Sequence, residues 1–286
     1  MERAWLHRLI GDRLDVGTIR TGSTVRAIEQ VGTGVRVHTD DGTESADAAV
    51  IADGAGSRLR AAMFPAHPGL VGTGDQTARG LSSPVPNDVD ARAGELLDHR
   101  TGERTGSVPM GDGRYHWWAT WREETVGSAP GEADDRRRWL EDRRASWHPF
   151  ASALVRGTAP GDIYVTETSG LARPLPTFAL GRIAFLGDAA HAMPPDLGQG
   201  GCQALEDAVA LGHELGGVAS AGVELALARY DRLRRGRTTG LMRAAWRMNR
   251  LLGLRGVAAQ ARNAAFRLVP RTATVNLMTR QYGFVA

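Results

Sequence analysis

One stretch decides the fold of this 286-residue chain: Gly187-Asp188-Ala189-Ala190-His191-Ala192-Met193-Pro194-Pro195-Asp196-Leu197-Gly198-Gln199-Gly200-Gly201. It follows an apolar run, Ile183-Ala184-Phe185-Leu186, which predicts a buried strand, and it leads into a predicted helix. One face of that helix carries Ala204, Ala208, Leu211 and Leu215. A strand end, a glycine-rich turn and a helix N-terminus together predict a site for an anionic or strongly hydrogen-bonding ligand. The same arrangement also occurs as a purely structural connection.

A second stretch nearer the start of the chain has the same layout. It is Asp53-Gly54-Ala55-Gly56-Ser57-Arg58-Leu59-Arg60, and it follows Ala48-Ala49-Val50-Ile51-Ala52. The unbroken apolar character of that preceding run predicts a central, buried strand. Taken alone, the second stretch is interpreted as a strand-to-helix turn with Asp53 as the cap.

The remaining pattern places most strands before the C-terminal helices. Strands are predicted at residues 24–28, 35–39 and 115–121, the last rich in aromatic residues, and Asp40-Asp41-Gly42 is predicted to separate strands. Helices are predicted at residues 2–10 and about 134–147, and the proline-free stretch from 196 to 269 predicts that helices dominate the C-terminal third.

Composition excludes several classes of protein. The net charge of +3 comes with 35 basic residues, and every one of them is Arg. Because Lys contacts phosphate well, its complete absence indicates the coding bias of a GC-rich, bacterial genome and not a nucleic-acid surface. Cys202 is the only cysteine, so no intramolecular disulfide and no metal site are expected. No signal peptide or membrane-spanning run is found, and we therefore expect a cytoplasmic protein without a transmembrane segment.

The first stretch resembles the second flavin motif of the FAD-dependent aromatic hydroxylases, the p-hydroxybenzoate hydroxylase-like flavoprotein monooxygenases. The resemblance implies that Gly187 and Asp188 hold the ribityl chain of FAD, with Asp188 accepting hydrogen bonds from its hydroxyls. It also implies that Pro194 lies near the isoalloxazine ring. The backbone N–H groups expected at the pyrimidine edge of that ring belong to Gly198, Gln199, Gly200 and Gly201.

The second stretch resembles the other signature of this family, an Asp-Gly pair followed by Ser and Arg. The resemblance implies that Asp53 and Gly54 contact the FAD pyrophosphate and NADH or NADPH. Two matching stretches in this order favour a ligand site over the structural interpretation. Arg3-Ala4-Trp5-Leu6 resembles the Arg-x-x-Leu helix of the family, which implies that Arg3 reaches the FAD phosphates or ribose. Val25 lies on the strand that is expected to pass close to the adenosine.

The resemblance covers nearly the whole chain and implies an α/β fold with a split FAD-binding domain of the p-hydroxybenzoate hydroxylase type, N-terminally truncated. The two parts of that domain are expected at residues 1–64 and 180–215. An α+β substrate-binding domain with a mixed sheet is expected at residues 65–179, and C-terminal helices at residues 216–286.

The implied function is that of a monooxygenase. FAD is reduced by NADH or NADPH, and one oxygen atom of O₂ is inserted into an aromatic or alkene small molecule. The substrate is expected between the loop at residues 194–198 and the sheet, with Tyr115, Trp117 and Arg173 as substrate-binding residues. No catalytic acid or base is named, because the cofactor carries the chemistry. His191 is interpreted as a structural, hydrogen-bonded residue and Cys202 as a packing residue.

Full members of the family open with a strand, a Gly-x-Gly-x-x-Gly turn and a helix, which this sequence does not contain. A misplaced start, a shortened gene and a separately supplied partner are all left open. Without that unit we expect the chain alone to bind FAD weakly or not at all and to tend to aggregate. Two alternative functions also stay open: an inert remnant or binding subunit without FAD, and a flavoprotein reductase or dehydrogenase that does not insert oxygen. Substrate identity and homodimer formation are left open too.

Overall fold

The computed structural model describes residues 3–85 and 94–270. Its strands are β1 (Val25–Val31), β2 (Gly34–Thr39), β3 (Gly42–Ala46), β4 (Ala49–Ile51), β5 (Leu70–Leu81), β6 (Gly94–Leu97), β7 (Arg104–Pro109), β8 (Tyr115–Arg122), β9 (Tyr164–Leu171), β10 (Ala179–Leu180) and β11 (Ile183–Phe185). Its helices are α1 (Arg3–Gly11), α2 (Arg58–Met63), α3 (Glu123–Val126), α4 (Ala133–Arg144), α5 (Pro149–Arg156), α6 (Asp188–His191), α7 (Gly200–Leu215), α8 (Val223–Leu252) and α9 (Gly256–Leu268). A short 3₁₀ turn, Pro195–Leu197, lies between α6 and α7. Helices therefore dominate the C-terminal third, as the sequence predicts.

Strand β11 pairs in parallel with β4 and antiparallel with β10, which makes a small mixed sheet in the order β10-β11-β4. The sequence predicts a central position for β4, but β4 lies at an edge of the sheet formed by the described residues. Ile51 is only 2% exposed, whereas Val50 on the opposite face is 43% exposed. An apolar run therefore does not by itself place a strand between two neighbours.

Strands β1, β2 and β3 form a separate antiparallel sheet. The sequence analysis interpreted the start of β3 as a separator, because Gly-Thr-Glu-Ser-Ala has no apolar alternation and all five residues are exposed. The backbone hydrogen bonds between β3 and β2, and not the burial of its side chains, hold β3 as a strand. Gln30 on β1 joins this sheet to the mixed one, since its Oε1 accepts a hydrogen bond from the Arg182 amide at 2.8 Å.

The largest sheet has the order β6-β7-β8-β5-β9, and its four described pairings are all antiparallel. A mixed sheet was expected in this region. The connections from β6 to β7 and from β7 to β8 are too short for a parallel crossover, so these neighbours must run antiparallel. Helices α4 and α5 cover one face of this sheet and build a core around Trp117, Trp121, Leu140 and Leu154.

Helix α8 supports the mixed sheet from one side. The Tyr230 hydroxyl donates to the Phe185 carbonyl at 2.9 Å, and the Asp231 carboxylate accepts the Phe178 amide at 2.7 Å. Helix α1 forms as predicted, but Trp5 on its apolar face is 47% exposed. No helix of the described residues is long and apolar enough to cross a membrane. The domain boundaries stay a prediction.

Candidate functional site

Two turns lie side by side where the parallel strands β4 and β11 end. Asp53 and Gly54 follow β4, Gly187 and Asp188 follow β11, and the Leu186 amide donates to the Ile51 carbonyl at 3.0 Å. Gly54 has φ 84° and Gly187 has φ 59°, which is backbone geometry that strongly favours glycine. The strand pairing thus brings the two stretches singled out in the sequence to one edge of the sheet.

Arg60 ties the two turns together. One guanidinium nitrogen donates to the Ala55 carbonyl at 2.6 Å, and the other donates to the Ala189 carbonyl at 3.1 Å and the Asp188 carbonyl at 3.3 Å. Burial lowers the pKa of Arg60, against the opposite effect of the nearby carboxylates of Asp53 and Asp188. Sequence analysis assigned no role to Arg60, because its partners are main-chain carbonyls, which leave no signature in a sequence.

A buried carboxylate supports the Gly187 turn from behind. Asp207 on α7 accepts hydrogen bonds from the Gly187 amide at 3.0 Å, from His191 Nε2 at 2.6 Å and from Arg234 Nε at 2.7 Å. Burial alone would raise the pKa of Asp207, but the contacts with His191 and Arg234 hold it below its ordinary value. His191 is 2% exposed and therefore has the structural place that the sequence predicts. The helix face predicted from Ala204 and Ala208 is partly wrong, because the buried residues of α7 are Gln203, Asp207, Ala210 and Leu211.

The loop from residue 194 to 201 offers polar groups beside Asp188. A Cβ atom on Gly200 would lie 3.7 Å from Asp188 Oδ1, so this carboxylate sits at the first turn of α7. The side chain of Gln199 is buried, and its Nε2 has no hydrogen-bond partner among the described residues. Side chains added at Gly198 or Gly201 would meet no atom within 4 Å, which leaves room for a ligand against the backbone. An exposed carboxylate, an unpaired amide donor and open glycines fit a polar cofactor such as FAD.

Pro194, Val25 and Arg3 are the other residues that the resemblance assigns to the cofactor. Pro194 is buried against β9, because a Cβ on Gly170 would come within 2.7 Å of its Cδ atom. Val25 lies at the start of β1 and is 38% exposed. The side chain of Arg3 lies outside the described part of the structure. The contacts of Arg3 and Val25 with FAD stay predictions.

A cavity of about 360 Å³ separates the large sheet from the loop after Pro194. Its lining comes from the four strands β5 to β8 and from the loop: Thr77, Arg79, Glu95, Arg104, His116, Trp118, Thr120, Pro195, Asp196, Leu197 and Gly198. The cavity is of the size and mixed polarity that suit a small planar molecule.

The predicted substrate residues on β8 are on the wrong face of the sheet. Trp117 is fully buried, and its Nε1 donates a hydrogen bond to Thr158 Oγ1 at 2.8 Å. The ring of Tyr115 packs edge-on against the ring of Phe150, with 5.0 Å between the ring centroids. Helix α5 covers that face, so the alternate residues His116 and Trp118 line the cavity instead. Period-two alternation predicts that only one of the two pairs can face the cavity, but it cannot tell which face the helices cover.

Arg173 is also absent from the cavity lining. It lies in an open groove beside α8, and its guanidinium donates to the Ala66 carbonyl at 2.9 Å. The sequence predicts Arg173 near the substrate because residues 171–176 resemble a substrate-domain strand of the family.

Buried charges connect the cavity wall to the loop. Arg104 on β7 donates to Asp196 Oδ1 at 2.5 Å, and its other terminal nitrogen lies 3.6 Å from Glu95. Glu95 also accepts a hydrogen bond from Trp118 Nε1 at 2.9 Å. These bonds fix the indole of Trp118 and hold the loop of Asp196 over the sheet.

Arg79 is the exception among the charged groups of the cavity wall. It donates to Thr166 Oγ1 at 2.6 Å, and none of the described carboxylates pairs with it. Burial lowers the pKa of Arg79, and burial followed by the charge of Arg79 lowers the pKa of His116. The cavity thus presents a cation that no carboxylate of the described residues pairs with, beside an imidazole whose lowered pKa keeps it neutral at pH 7.

Comparisons with known proteins agree with this geometry. The chain is 32% identical over 252 residues to the aurachin C monooxygenase/isomerase of Stigmatella aurantiaca, covering 86% of this chain and 61% of that protein. It is 29% identical over 266 residues to the 6-hydroxynicotinate 3-monooxygenase of Pseudomonas fluorescens, covering 85% of this chain and 63% of that protein. The chain thus spans less than two thirds of the length of these relatives.

Among solved structures, Klebsiella pneumoniae HpxO complexed with FAD and uric acid superposes with a TM-score of 0.87 at 26% identity. The match covers 99% of this chain and 72% of that one. The family model described as FAD binding domain matches residues 12–245, which is most of the chain. The chain therefore belongs to the FAD binding domain family, that of the p-hydroxybenzoate hydroxylase-like aromatic hydroxylases.

Proposed function

We propose that this chain carries the flavin turns and the substrate cavity of an FAD-dependent monooxygenase. NADH or NADPH and O₂ are its co-substrates, and one oxygen atom is inserted into an aromatic or alkene small molecule. The observation that carries the proposal is the cavity between the sheet and the loop at residues 195–198, next to Asp188 and the start of α7. The names of the relatives and the structural neighbour with FAD and uric acid support it.

The proposed cofactor contacts follow the groups left available at the two turns. Asp188 accepts hydrogen bonds from ribityl hydroxyls, and Gly187 allows the chain to pass close by. Gln199 Nε2 and the amides of Gly200 and Gly201 serve the pyrimidine edge of the ring, where the positive end of α7 favours negative charge. The predicted role of the Gly198 amide is corrected, because that amide donates to the Pro195 carbonyl at 2.8 Å. Asp53 and Gly54 serve the pyrophosphate side. When bound, FAD supplies the redox chemistry.

The residues of the cavity bind and orient the substrate. Trp118 offers an aromatic face held in place by Glu95, His116 offers a ring nitrogen as a hydrogen-bonding group, and Arg79 offers positive charge. The Arg104–Asp196 pair closes the wall nearest the loop and keeps water from that side. We name no acid or base, because no proton transfer is required of the chain itself for these roles. Tyr115, Trp117 and Arg173 are not part of this proposal.

Oxygen incorporation tests the proposed function. Protein supplied with FAD is mixed with NADH or NADPH, aromatic substrates and ¹⁸O₂, and the products are analysed by mass spectrometry. One labelled oxygen atom per product is expected. Trp118→Ala should lose product while it keeps bound FAD. NAD(P)H oxidation without a labelled product across the substrate set would favour the non-oxygenating reductase, and absence of bound FAD would favour the inert remnant.

The remaining assignments are proposals from the sequence. The two parts of the FAD-binding domain at residues 1–64 and 180–215, the substrate domain at 65–179 and a cytoplasmic location belong here. Gel filtration with light scattering would decide whether the chain forms a homodimer.

A further inference from the structure

An arginine-rich groove lies outside the cavity. It has a volume of about 540 Å³, and its walls come from β5, the segment after β9 and α8. The lining residues that carry charge are Arg173, Arg243, Arg247 and Arg250, and the indole of Trp246 lies among them. Among the residues that the structure describes, no acidic side chain lines this groove, so four positive charges face one space.

Not every arginine of α8 lacks a carboxylate partner among the described residues. In its first half, Arg229, Arg234, Arg235 and Arg237 each pair with a carboxylate. In its second half, Arg243, Arg247 and Arg250 pair with none of the described acidic residues. Guanidinium groups that lack protein counter-ions are available to an anionic ligand.

The spacing of the three arginines suits an extended anion. Positions 243, 247 and 250 are separated by four and three residues, so they follow one stripe of the helix and span about 10 Å. That length accommodates two or three phosphate groups in a row. Trp246 is held by a hydrogen bond from its Nε1 to the Leu171 carbonyl at 3.1 Å, and its ring offers a stacking surface beside the charges.

The groove is joined to both flavin turns. The Leu171 amide donates to the Ala192 carbonyl at 2.8 Å, two residues before Pro194. On the other side, Arg173 donates to the Ala66 carbonyl, in the segment that follows α2. The segments that line the groove are therefore hydrogen-bonded to the chain beside each flavin turn.

We propose that this groove binds the diphosphate of a nicotinamide dinucleotide, with Arg243, Arg247 and Arg250 as the phosphate contacts. The inference rests on the proposed function, which requires an electron donor of this class. Trp246 stacks on one of the two ring systems of the dinucleotide. Arg173 lies at the end of the groove that contacts the segment after α2, on the side of the Asp53–Gly54 turn.

Equilibrium binding tests the groove without reference to turnover. Calorimetry on the full chain supplied with FAD measures the Kd of NAD⁺ and NADP⁺ at low and high salt. The triple substitution Arg243→Gln, Arg247→Gln and Arg250→Gln should raise that Kd tenfold or more and weaken its salt dependence. Arg232→Gln is the matched control, because Arg232 is an exposed residue of the same helix outside the groove.

The outcomes separate the groove from the proposed function. All three arginines are exposed, so the melting temperature of the triple variant should match that of Arg232→Gln. Unchanged dinucleotide affinity in the triple variant would overturn the groove assignment, even if labelled product still forms. Loss of affinity in the triple variant alone, with inorganic pyrophosphate competing only in the unsubstituted protein, would support the assignment even if no product forms. Absence of dinucleotide binding to the unsubstituted protein, with labelled product formed from NADH or NADPH, would also overturn it.

Discussion

Asp188 is the single carboxylate on which the flavin assignment depends. Asp188 is the first residue of α6, and its exposed carboxylate lies beside the first turn of α7. Its main-chain carbonyl accepts a hydrogen bond from Arg60. Asp188→Ala removes a charged hydrogen-bond acceptor, so we expect FAD affinity to fall by roughly tenfold to a hundredfold. Titration of flavin fluorescence against protein measures the change. Asp41→Ala, on an exposed turn far along the chain, is the control, and equal Kd values for the two variants would contradict the assignment.

Arg79 is the residue that should decide which substrates enter the cavity. Its charge has no carboxylate partner among the described residues, and burial makes that charge costly. An anionic group on the substrate would compensate it, so Arg79→Gln should weaken the binding of 4-hydroxybenzoate about tenfold or more. The neutral probe 4-hydroxybenzamide should lose little. Isothermal titration calorimetry measures both affinities, and equal losses for the two probes would show that charge is not recognised.

Sequence identifies some residues of the site and misses others for physical reasons. Asp188 could be predicted because a strand end and a glycine-rich turn surround it. The role of Arg60 could not be predicted, because it contacts only main-chain carbonyls. Gln199 was predicted for its backbone N–H, but the unpaired Nε2 of its buried side chain can be seen only in the folded structure. The sequence around Arg79 shows only the pattern of a strand. That none of the described carboxylates pairs with Arg79 can be seen only in the folded structure.

At the scale of elements, the two faces of β8 have separate tasks. Trp117 belongs to the core under α5, whereas Trp118 lines the cavity. We expect Trp117→Ala to lower the free energy of unfolding by about 3–5 kcal/mol, since it removes a fully buried ring. Trp118→Ala should cost much less stability but weaken ligand binding.

Chemical denaturation and ligand titration of the two variants form the test. Each tryptophan is the control for the other, because they are adjacent in sequence and chemically identical. Greater instability of Trp118→Ala would mean that the faces of β8 have been assigned the wrong way round.

Elements with a strong apolar or helical pattern could be predicted, and those held by pairing could not. Strand β8 and helix α4 were expected close to their observed bounds. Strand β3 was missed because its order comes from β2 and not from its own polar side chains. The antiparallel arrangement of β6, β7 and β8 follows from their short connections, which an expectation based on composition does not consider.

At the scale of the whole molecule, we expect acid to lower the free energy of unfolding, partly because it protonates two carboxylates on α7. The pKa values of Asp207 and Glu206 are lowered in the folded state, although burial alone would raise them. His191 and Arg234 outweigh burial for Asp207, and Arg237 and Arg234 do so for Glu206. A lowered pKa contributes stability above the unfolded value of about 4, and that contribution is lost as pH falls through the folded value. Stability should therefore decline steeply below about pH 4.

Comparison of the unsubstituted protein with Asp207→Asn isolates this contribution. Thermal unfolding is followed from pH 7 to pH 3, and the variant should be less stable at pH 7 but less sensitive to acid. The two curves should approach each other at the lowest pH. Parallel curves over the whole range would show that Asp207 does not titrate with unfolding.

The bonds from Arg60 to the Ala189 and Asp188 carbonyls have a consequence for the order of folding, because they join residues 129 and 128 positions apart. Closing so long a loop costs configurational entropy, and contacts between distant residues form late. The β6–β7–β8 meander consists of sequence neighbours and can assemble early. A refolding chain therefore completes this wall of the cavity before its two turns meet, and the ability to capture cofactor is the last property that it acquires.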